Sequence, residues 1–264
     1  MVSTYLDQIL ARHREVAAGD TRPLDRLLDD IGQLDQSPRS MADALRQVDG
    51  MAIISEIKRR SPSKGDLFAD LDPATLARSY AAGGASCVSV LTDREHFGGS
   101  PQDLAAARAA VDLPVLRKDF TVSANDVADA RLMGADAVLL IVAALDDAEL
   151  ADFHRLATEI GLSVLVETHD EREVERALAI APAIVGVNQR DLVTFEVDTE
   201  RAVRVAASIP DTVLAVAESG IAGPGDLPPL YAAGYRAALI GETLVRSGDP
   251  ERAVREMRAA TGKT

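Results

Sequence analysis

From Met51 onward, hydrophobic and polar positions follow one repeating pattern. Short β-branched or aliphatic runs stand at Ile53–Ile57, Cys87–Leu91, Val115–Leu116, Ala137–Ile141, Ser163–Val166, Ile184–Val187, Leu214–Ala217 and Ala237–Ile240. Helical spacing of apolar residues separates them, over Pro73–Ala82, Pro101–Ala110, Ala124–Met133, Asp147–Ile160, Glu171–Ala179, Thr199–Ser208, Pro224–Ala233 and Pro250–Ala260. Helix-ending glycines precede several runs, at Gly83-Gly84, Gly134, Gly161 and Gly234. Strand–helix alternation predicts parallel strands joined by crossover helices. The runs are almost continuously apolar, as in strands covered on both faces. Eight such units predict an α/β fold, a (β/α)8 TIM barrel. The alternative, an open doubly wound sheet, usually carries Gly-x-Gly-x-x-Gly after its first strand, and that motif is absent.

Ahead of the repeat, Thr4–Ala18 places Leu6, Ile9, Leu10, Val16 and Ala17 at helical spacing. Pro23–Asp49 is less regular, with short helices expected near Leu24–Ile31 and Met41–Arg46. Neither piece is large enough to fold alone. The expectation is one barrel domain over residues 1–264, with 1–49 as a helical extension packed on the barrel.

The chain has 264 residues, 47% of them hydrophobic, which is ample for a core. No apolar run approaches the roughly 18 residues of a membrane span, and Met1–Arg14 lacks a signal-peptide layout. Cys87 is the lone cysteine, so no intrachain disulfide framework is expected. These features favour a soluble cytoplasmic protein. The net charge of -14 argues against nucleic acid and anionic membranes as partners. An anionic small ligand would need a local cluster of positive charge. Lysines are few: Lys58, Lys64, Lys118 and Lys263. A lysine with a lowered pKa can lose its proton, which arginine effectively cannot do.

In such a barrel the active site lies at the C-terminal strand ends. The first strand ends in Glu56 and Lys58, the third in Lys118 and the fifth in Glu167. The sixth ends in Asn188 and Arg190, the seventh in Glu218-Ser219-Gly220 and the eighth in Gly241-Glu242. Glu56 and Lys58 are two residues apart, so they share a side of their strand and must pair or work. A structural salt bridge is the plain alternative for that pair. Leu139 and Ile141 end the fourth strand without charge and offer an apolar wall, to which Phe97 and Phe120 add aromatic surface. Half the mouth is apolar and half charged, which suits a flat ring with an anionic tail. Gly220 and Gly241, each followed by a helix start, expose backbone N–H groups where phosphate binds in these barrels, with Ser61 adding a hydroxyl.

Glu56, Glu167 and Glu218 could together hold Mg²⁺, but Lys58 and Lys118 compete for them. His13, His96, His154 and His169 show no ligand spacing, so no metal is expected. A Schiff-base aldolase is a rival, since a desolvated barrel lysine is the usual nucleophile for that chemistry.

Five stretches carry a family resemblance: Glu56-Ile-Lys-Arg-Arg-Ser-Pro-Ser-Lys-Gly65, Leu116-Arg-Lys-Asp-Phe120, Leu165-Val-Glu-Thr-His169, Gly186-Val-Asn-Gln-Arg-Asp-Leu192 and Ala217-Glu-Ser-Gly-Ile221. In that order, along nearly all of the barrel, they resemble indole-3-glycerol phosphate synthase. The resemblance implies conversion of 1-(2-carboxyphenylamino)-1-deoxyribulose 5-phosphate to indole-3-glycerol phosphate, CO₂ and water in tryptophan biosynthesis, with no cofactor or metal. It implies Lys118 as general acid at the ribulose carbonyl and Glu167 as acid/base partner for dehydration. Lys58 would hold the substrate carboxylate, and Glu56 would position the lysines. Asn188, Arg190, Glu218 and Ser219 would arrange substrate hydroxyls and charges. Ser61, Gly220, Gly241 and Glu242 would lie at the phosphate, and Phe97, Phe120, Leu139, Ile141 and Leu192 around the ring.

The chemistry asks for an acid near the ketone oxygen, which a lysine with its pKa moved toward neutrality would supply. The chain departs from some relatives in having no tryptophan, so Ile9 or Leu10 is expected to cover the site instead. Another phosphosugar barrel, phosphoribosylanthranilate isomerase, would use a Cys/Asp pair, and Cys87 has no matching acid. A monomer or weak homo-oligomer is expected, and association with other enzymes of the pathway stays open.

Overall fold

The computed structural model describes residues 5–61, 65–68, 70–191 and 196–262. Leu192, Pro62, Lys64 and Lys263, named above, lie outside them. Among the described residues eight parallel strands form the barrel: β1 (Ala52–Ile57), β2 (Cys87–Leu91), β3 (Val115–Lys118), β4 (Ala137–Ile141), β5 (Ser163–Thr168), β6 (Ile184–Asn188), β7 (Leu214–Glu218) and β8 (Ala237–Ile240). Each pairs with its sequence neighbour, and β1 pairs with β8 to close the cylinder. The strands are buried nearly throughout, which explains their unbroken apolar runs.

Five strands extend beyond or end at polar residues that stop a hydrophobic run. β3 continues through Arg117 and Lys118, β5 through Glu167 and Thr168, β6 to Asn188 and β7 to Glu218. β1 carries Glu56 as its fifth residue. The ladder continues there regardless of side-chain polarity: Leu91 is in register with Lys118, Glu167 with Gly186, and Asn188 with Glu218. Glu56, Lys118, Glu167, Asn188 and Glu218 are thus held by hydrogen-bonded backbone, while Lys58, Arg190 and Ser219 follow just beyond strand ends.

The surrounding helices are α4 (Pro73–Gly83), α6 (Pro101–Ala110), α7 (Ala124–Leu132), α8 (Asp147–Glu159), α9 (Glu171–Leu178), α10 (Arg201–Val205), α11 (Leu227–Ala232) and α13 (Pro250–Ala259). Local chemistry sets their starts. Asp72, Ser100, Ser123, Asp146, Asp170 and Asp249 each accept a backbone N–H of the first turn, and proline follows at the start of α4, α6 and α13. Gly84 ends α4 at φ 89°, in the left-handed region. The expected helix over Thr199–Ser208 is α10 plus a 3-10 turn at Ala206–Ser208, and that over Pro224–Ala233 is a 3-10 turn at Pro224–Asp226 followed by α11. Pro228 and Pro229 lack the N–H groups an earlier helical start would use. Two short helices that periodicity does not show, α5 (Arg94–Phe97) and α12 (Glu242–Val245), sit at the mouth after β2 and β8. Arg60–Ser61 and Gly65–Asp66 form a two-stranded ribbon after β1.

The N-terminal segment is helical, as expected: α1 (Tyr5–Gly19), α2 (Leu24–Gly32) and α3 (Met41–Arg46). Leu6, Ile9, Leu27, Met41 and Leu45 are buried. Polar ties add register: Arg14 bonds Glu149 at 2.8 Å, Arg22 bonds Asp129 at 2.7 Å, and the Met41 N–H donates to Ser163 at 3.1 Å. No described helix is long and apolar enough to cross a membrane.

Candidate active site

The strand-end residues converge. At the centre stands Lys118, whose Nζ lies 2.7 Å from Glu167 Oε2 and 3.5 Å from Glu218 Oε2. Glu167 uses its other oxygen to accept from Asn188 Nδ2 at 3.0 Å. Lys58 Nζ donates to Glu56 Oε1 at 2.5 Å, so the two charges placed on one side of β1 do pair. Their side chains are only 18% and 7% exposed. A cavity of about 800 Å³ opens over this centre. Glu56, Lys58, Lys118, Asn188, Arg190 and Glu218 line one part of it, and Leu91, Phe97, Ile221, Leu239 and Ile240 supply apolar wall. Ser61, Ser219, Gly220, Gly241 and Glu242 complete the opposite rim with Thr243 and Arg246.

Two glycines make room for the carboxylates. A β-carbon on Gly186 would stand 2.0 Å from Glu218 Oε1, and one on Gly241 would stand 2.3 Å from Glu56 Oε1. Both distances are far inside van der Waals contact, so these acids reach their places only across bare backbone. Gly241, expected at the phosphate, therefore also seats Glu56. At the end of β7, Ser219 and Gly220 take φ values of 63° and 73°. The left-handed region costs a serine on the order of 1–3 kcal/mol unless its surroundings hold it there. Gln189 supplies one hold, its Nε2 donating to the Ser219 carbonyl at 2.8 Å.

Charge in this dry cluster is shared unevenly. Burial works against the Lys118 ammonium, but Glu167, Glu218 and Glu56 more than offset it, and its pKa lies above the ordinary lysine value. This corrects the expectation of a lysine moved toward neutrality. Three carboxylates act on one cation, and among the described residues no second cation opposes them. Burial pushes Glu167 up, but Lys118, then His169 and Asn188, bring it down to about 2. Burial and then the Glu167 charge push Glu218 up to about 8, against the pull of Lys118. The two acids titrate as a coupled pair in which one is ionised while the other keeps a proton. Glu218 Oε1 makes no hydrogen bond among the described residues.

Several expected ring contacts lie elsewhere. Leu139, Ile141 and Phe120 are buried in the core cluster and do not line the cavity. Phe120 backs Phe97 at 6.4 Å between ring centres, and Phe97 alone of the pair reaches the cavity wall. Glu167 is also behind the wall, at 1% side-chain exposure. Ile9 is buried in the core, and neither it nor Leu10 lines the cavity. From α1 it is His13 that packs on the aromatic pair, 5.3 Å from the Phe120 ring. The Glu242 carboxylate accepts from Arg246 at 3.1 Å. Gln189, Thr243 and Arg246 were not singled out from the sequence. Gln189 sits inside a quoted motif, but Thr243 lies on α12 and Arg246 caps its C-terminal end, and that short helix has no periodic signal of its own.

One group of potential metal ligands stands among the described residues: His13, Asp93 and Asp119, with ligand atoms within 4.8 Å of one another. Each already has a protein partner. Asp93 accepts from His13 at 3.0 Å and faces His96 at 3.2 Å, and Asp119 accepts from Arg117 at 3.1 Å. The carboxylates of the central cluster are likewise engaged by lysines.

Comparison with known proteins agrees with this arrangement. The family model for indole-3-glycerol phosphate synthase matches residues 6–257. An indole-3-glycerol phosphate synthase of Nocardioides sp. is 57% identical over 208 residues, covering 79% of this chain and 80% of the relative. That of Streptomyces griseus is 50% identical over 259 residues, covering 97% and 96%. Among solved structures, the N-acetylmannosamine-6-phosphate 2-epimerase of Clostridium perfringens superposes with a TM-score of 0.62 at 13% identity, over 82% of this chain and 95% of that one. Thiamine phosphate pyrophosphorylase of Pyrococcus furiosus gives 0.61 at 14%, over 84% and 97%. At such identity these two speak to the barrel alone. With the motifs, the convergent strand ends and the family match together, the chain belongs to the indole-3-glycerol phosphate synthases, carboxy-lyases of tryptophan biosynthesis.

Proposed function

We propose that Lys118 is the general acid of the reaction and that Glu167 and Glu218 manage its protons. The enzyme closes the ring of 1-(2-carboxyphenylamino)-1-deoxyribulose 5-phosphate, releases CO₂ and removes water. The observation that carries the assignment is the position of Lys118 Nζ, between Glu167 and Glu218 and on the cavity wall. As the ring carbon attacks the ketone, its oxygen becomes an alkoxide. An alkoxide is a stronger base than a lysine amine, so transfer from the Lys118 ammonium runs downhill even with its raised pKa. A Schiff-base role would instead need a neutral amine, which the surrounding carboxylates disfavour.

Lys58, paired with Glu56, is placed to bind the substrate carboxylate. Loss of CO₂ leaves an electron-rich ring that expels the hydroxyl, and Glu167 protonates the departing oxygen in this reading. Asn188 orients Glu167. Arg190 and Ser219 contact substrate polar groups, while Phe97, backed by Phe120, faces the aromatic ring. Leu139 and Ile141 support the floor of the site from within the core, and Leu192 is assigned to the ring by the family resemblance alone. The phosphate sits on the rim formed by Ser61, Gly220, Gly241 and the Glu242 backbone, where Ser61 Oγ makes no hydrogen bond among the described residues. The reading has no cofactor or resident metal. It takes the chain as one barrel domain with residues 1–49 as an extension, working in the cytoplasm as a monomer or weak homo-oligomer.

The direct test is the appearance of indole fluorescence when the substrate is added to purified protein. The chain contains no tryptophan, so background emission is low. Near-normal turnover in Lys118→Met would sink the assignment.

A further inference from the structure

The reaction has a proton balance that the main cavity alone serves poorly. Ring closure places one proton on the carbonyl oxygen. Dehydration places a second on the departing hydroxyl, and aromatisation returns one from the carbon beside nitrogen. The carboxylate leaves as neutral CO₂. Each turnover therefore draws one proton from solvent. Glu167 is the acid assigned to dehydration, yet it is almost fully buried and off the cavity wall. Lys118, Asn188 and Glu218 line the cavity in its place. Substrate filling that space would lie against these residues, with Glu167 behind them.

On its other side Glu167 has one further ionisable neighbour among the described residues. His169 Nε2 lies 3.6 Å from Glu167 Oε1 and makes no hydrogen bond among the described residues. The ring is aimed by Glu173, whose Oε2 faces His169 Nδ1 at 3.0 Å and accepts the His169 backbone N–H at 2.8 Å. This geometry is built into the local sequence. β5 ends at Thr168, Asp170 caps α9, and Glu173 in the first turn of α9 reaches back to the histidine. Beyond the ring lies a second cavity of about 370 Å³, lined by His169 and Glu173 with Arg201 and Arg204. Arg204 on its rim is exposed.

We propose that His169 delivers the solvent proton to Glu167 from this second cavity, with Glu173 holding the imidazole in line. His169 acts through Glu167 and touches no substrate. The charged groups acting on it are Glu167 from β5, Glu173 from α9 and Arg201 from α10, and the second cavity around it is lined as well by Asp170, Glu171, Asp191 and Arg204. Burial opposes an imidazolium there, but Glu173 and Glu167 outweigh burial and Arg201, so the ring holds its proton above the usual histidine range. In the resting enzyme Glu167 does not take that proton, because Lys118 keeps it ionised. When Lys118 gives its own proton to the closing ring, Glu167 loses that restraint and becomes a stronger base. The transfer is thereby timed to the step that needs it.

This inference rests on the acid/base assignment of Glu167, and its test separates the two. His169→Gln keeps a polar side chain toward Glu173 but carries no titratable proton. In dilute buffer its kcat should fall about tenfold or more at about pH 9 and much less at about pH 6, with KM little changed. Added imidazole should restore part of the loss in the variant and leave the parent enzyme unaffected. A variant that tracks the parent at every pH, or whose deficit is independent of pH and imidazole, overturns the proposal. Glu173→Gln, with His169 intact, should show the same pH and buffer signature at smaller amplitude, which keeps the test open if His169→Gln folds poorly. Glu167→Gln with near-normal turnover overturns the acid/base assignment itself. An inactive Glu167→Gln beside a buffer-insensitive His169→Gln overturns the proton route alone.

Discussion

Gly241 and Glu56 occupy one space: a β-carbon on the glycine would come within 2.3 Å of Glu56 Oε1, the oxygen that accepts from Lys58. The glycine after β8 thus controls a charge pair at the end of β1, its neighbour across the closed barrel. Gly241→Ala should push the carboxylate aside and release Lys58 from its position. A displacement of about 1 Å at a reacting centre can cost on the order of 100-fold in rate. Steady-state kinetics should show that loss while the melting temperature moves little, since the clash falls on the tip of a side chain.

Lys118→Met should lose about 10²- to 10⁴-fold in kcat, the usual contribution of a general acid. It should also change the response of stability to pH. Glu167, held at about 2 by the lysine, contributes stability that is present above the ordinary glutamate value and lost as pH falls toward 2. Without Lys118 that contribution disappears and two acids are left facing each other. Thermal melts at about pH 5 and pH 8 should show a much larger deficit at the higher pH. An equal deficit at both would contradict the charge arrangement described here.

Glu218→Gln should separate stability from activity. The carboxyl is raised to about 8 in the folded state, so the folded protein binds a proton that the unfolded chain has already released. Its contribution is complete below the ordinary glutamate value and is lost as pH rises toward 8. Replacing it with a neutral amide removes that loss. The variant should melt above the parent at about pH 8.5 and close to it at about pH 5. Activity should fall, but less than in Lys118→Met; a greater fall would reverse the division of roles between them.

His13 fastens α1 to the aromatic side of the mouth. Its Nε2 is 3.0 Å from Asp93, and its ring packs on Phe120, which backs Phe97. Burial lowers the imidazole pKa, but Asp93 and Asp119, with Asp126 beyond, raise it overall. The stabilisation is therefore complete below the free histidine value and fades as pH rises through the folded one. His13→Gln should cost about 1–2 kcal/mol at about pH 6 and much less at about pH 9. Equal destabilisation at both pH values would assign His13 a packing role only.

Much of the site was legible from particular residues. Glu56, Lys58, Lys118, Asn188, Arg190 and Glu218 each follow or end an apolar run, and all line one cavity. Their convergence follows from parallel strands closing into a cylinder, which brings every C-terminal end to one face. The apolar wall was less legible. Leu139 and Ile141 share the inward side of β4, as alternation requires, yet alternation does not say how deep a residue sits once neighbours close over it. The contact from α1 was missed for a related reason. Its hydrophobic spacing points Leu6 and Ile9 into the core, while His13 looks like an ordinary polar surface position until Asp93 stands opposite.

The periodic pattern of the chain, read locally, determined the eight strands, most of the helices and the set of chemical groups at the mouth. Periods of two and 3.6 residues are local properties of backbone geometry, so they survive without knowledge of the partner strands. The fold alone decided which carboxylate meets Lys118, why Glu218 rather than Glu167 keeps a proton, and that Gly186 and Gly241 must be bare. Those outcomes depend on distances of a few ångströms between residues far apart in the chain. Cross-strand register and burial set such distances, and electrostatics in a dry interior is steep enough for them to order the protons.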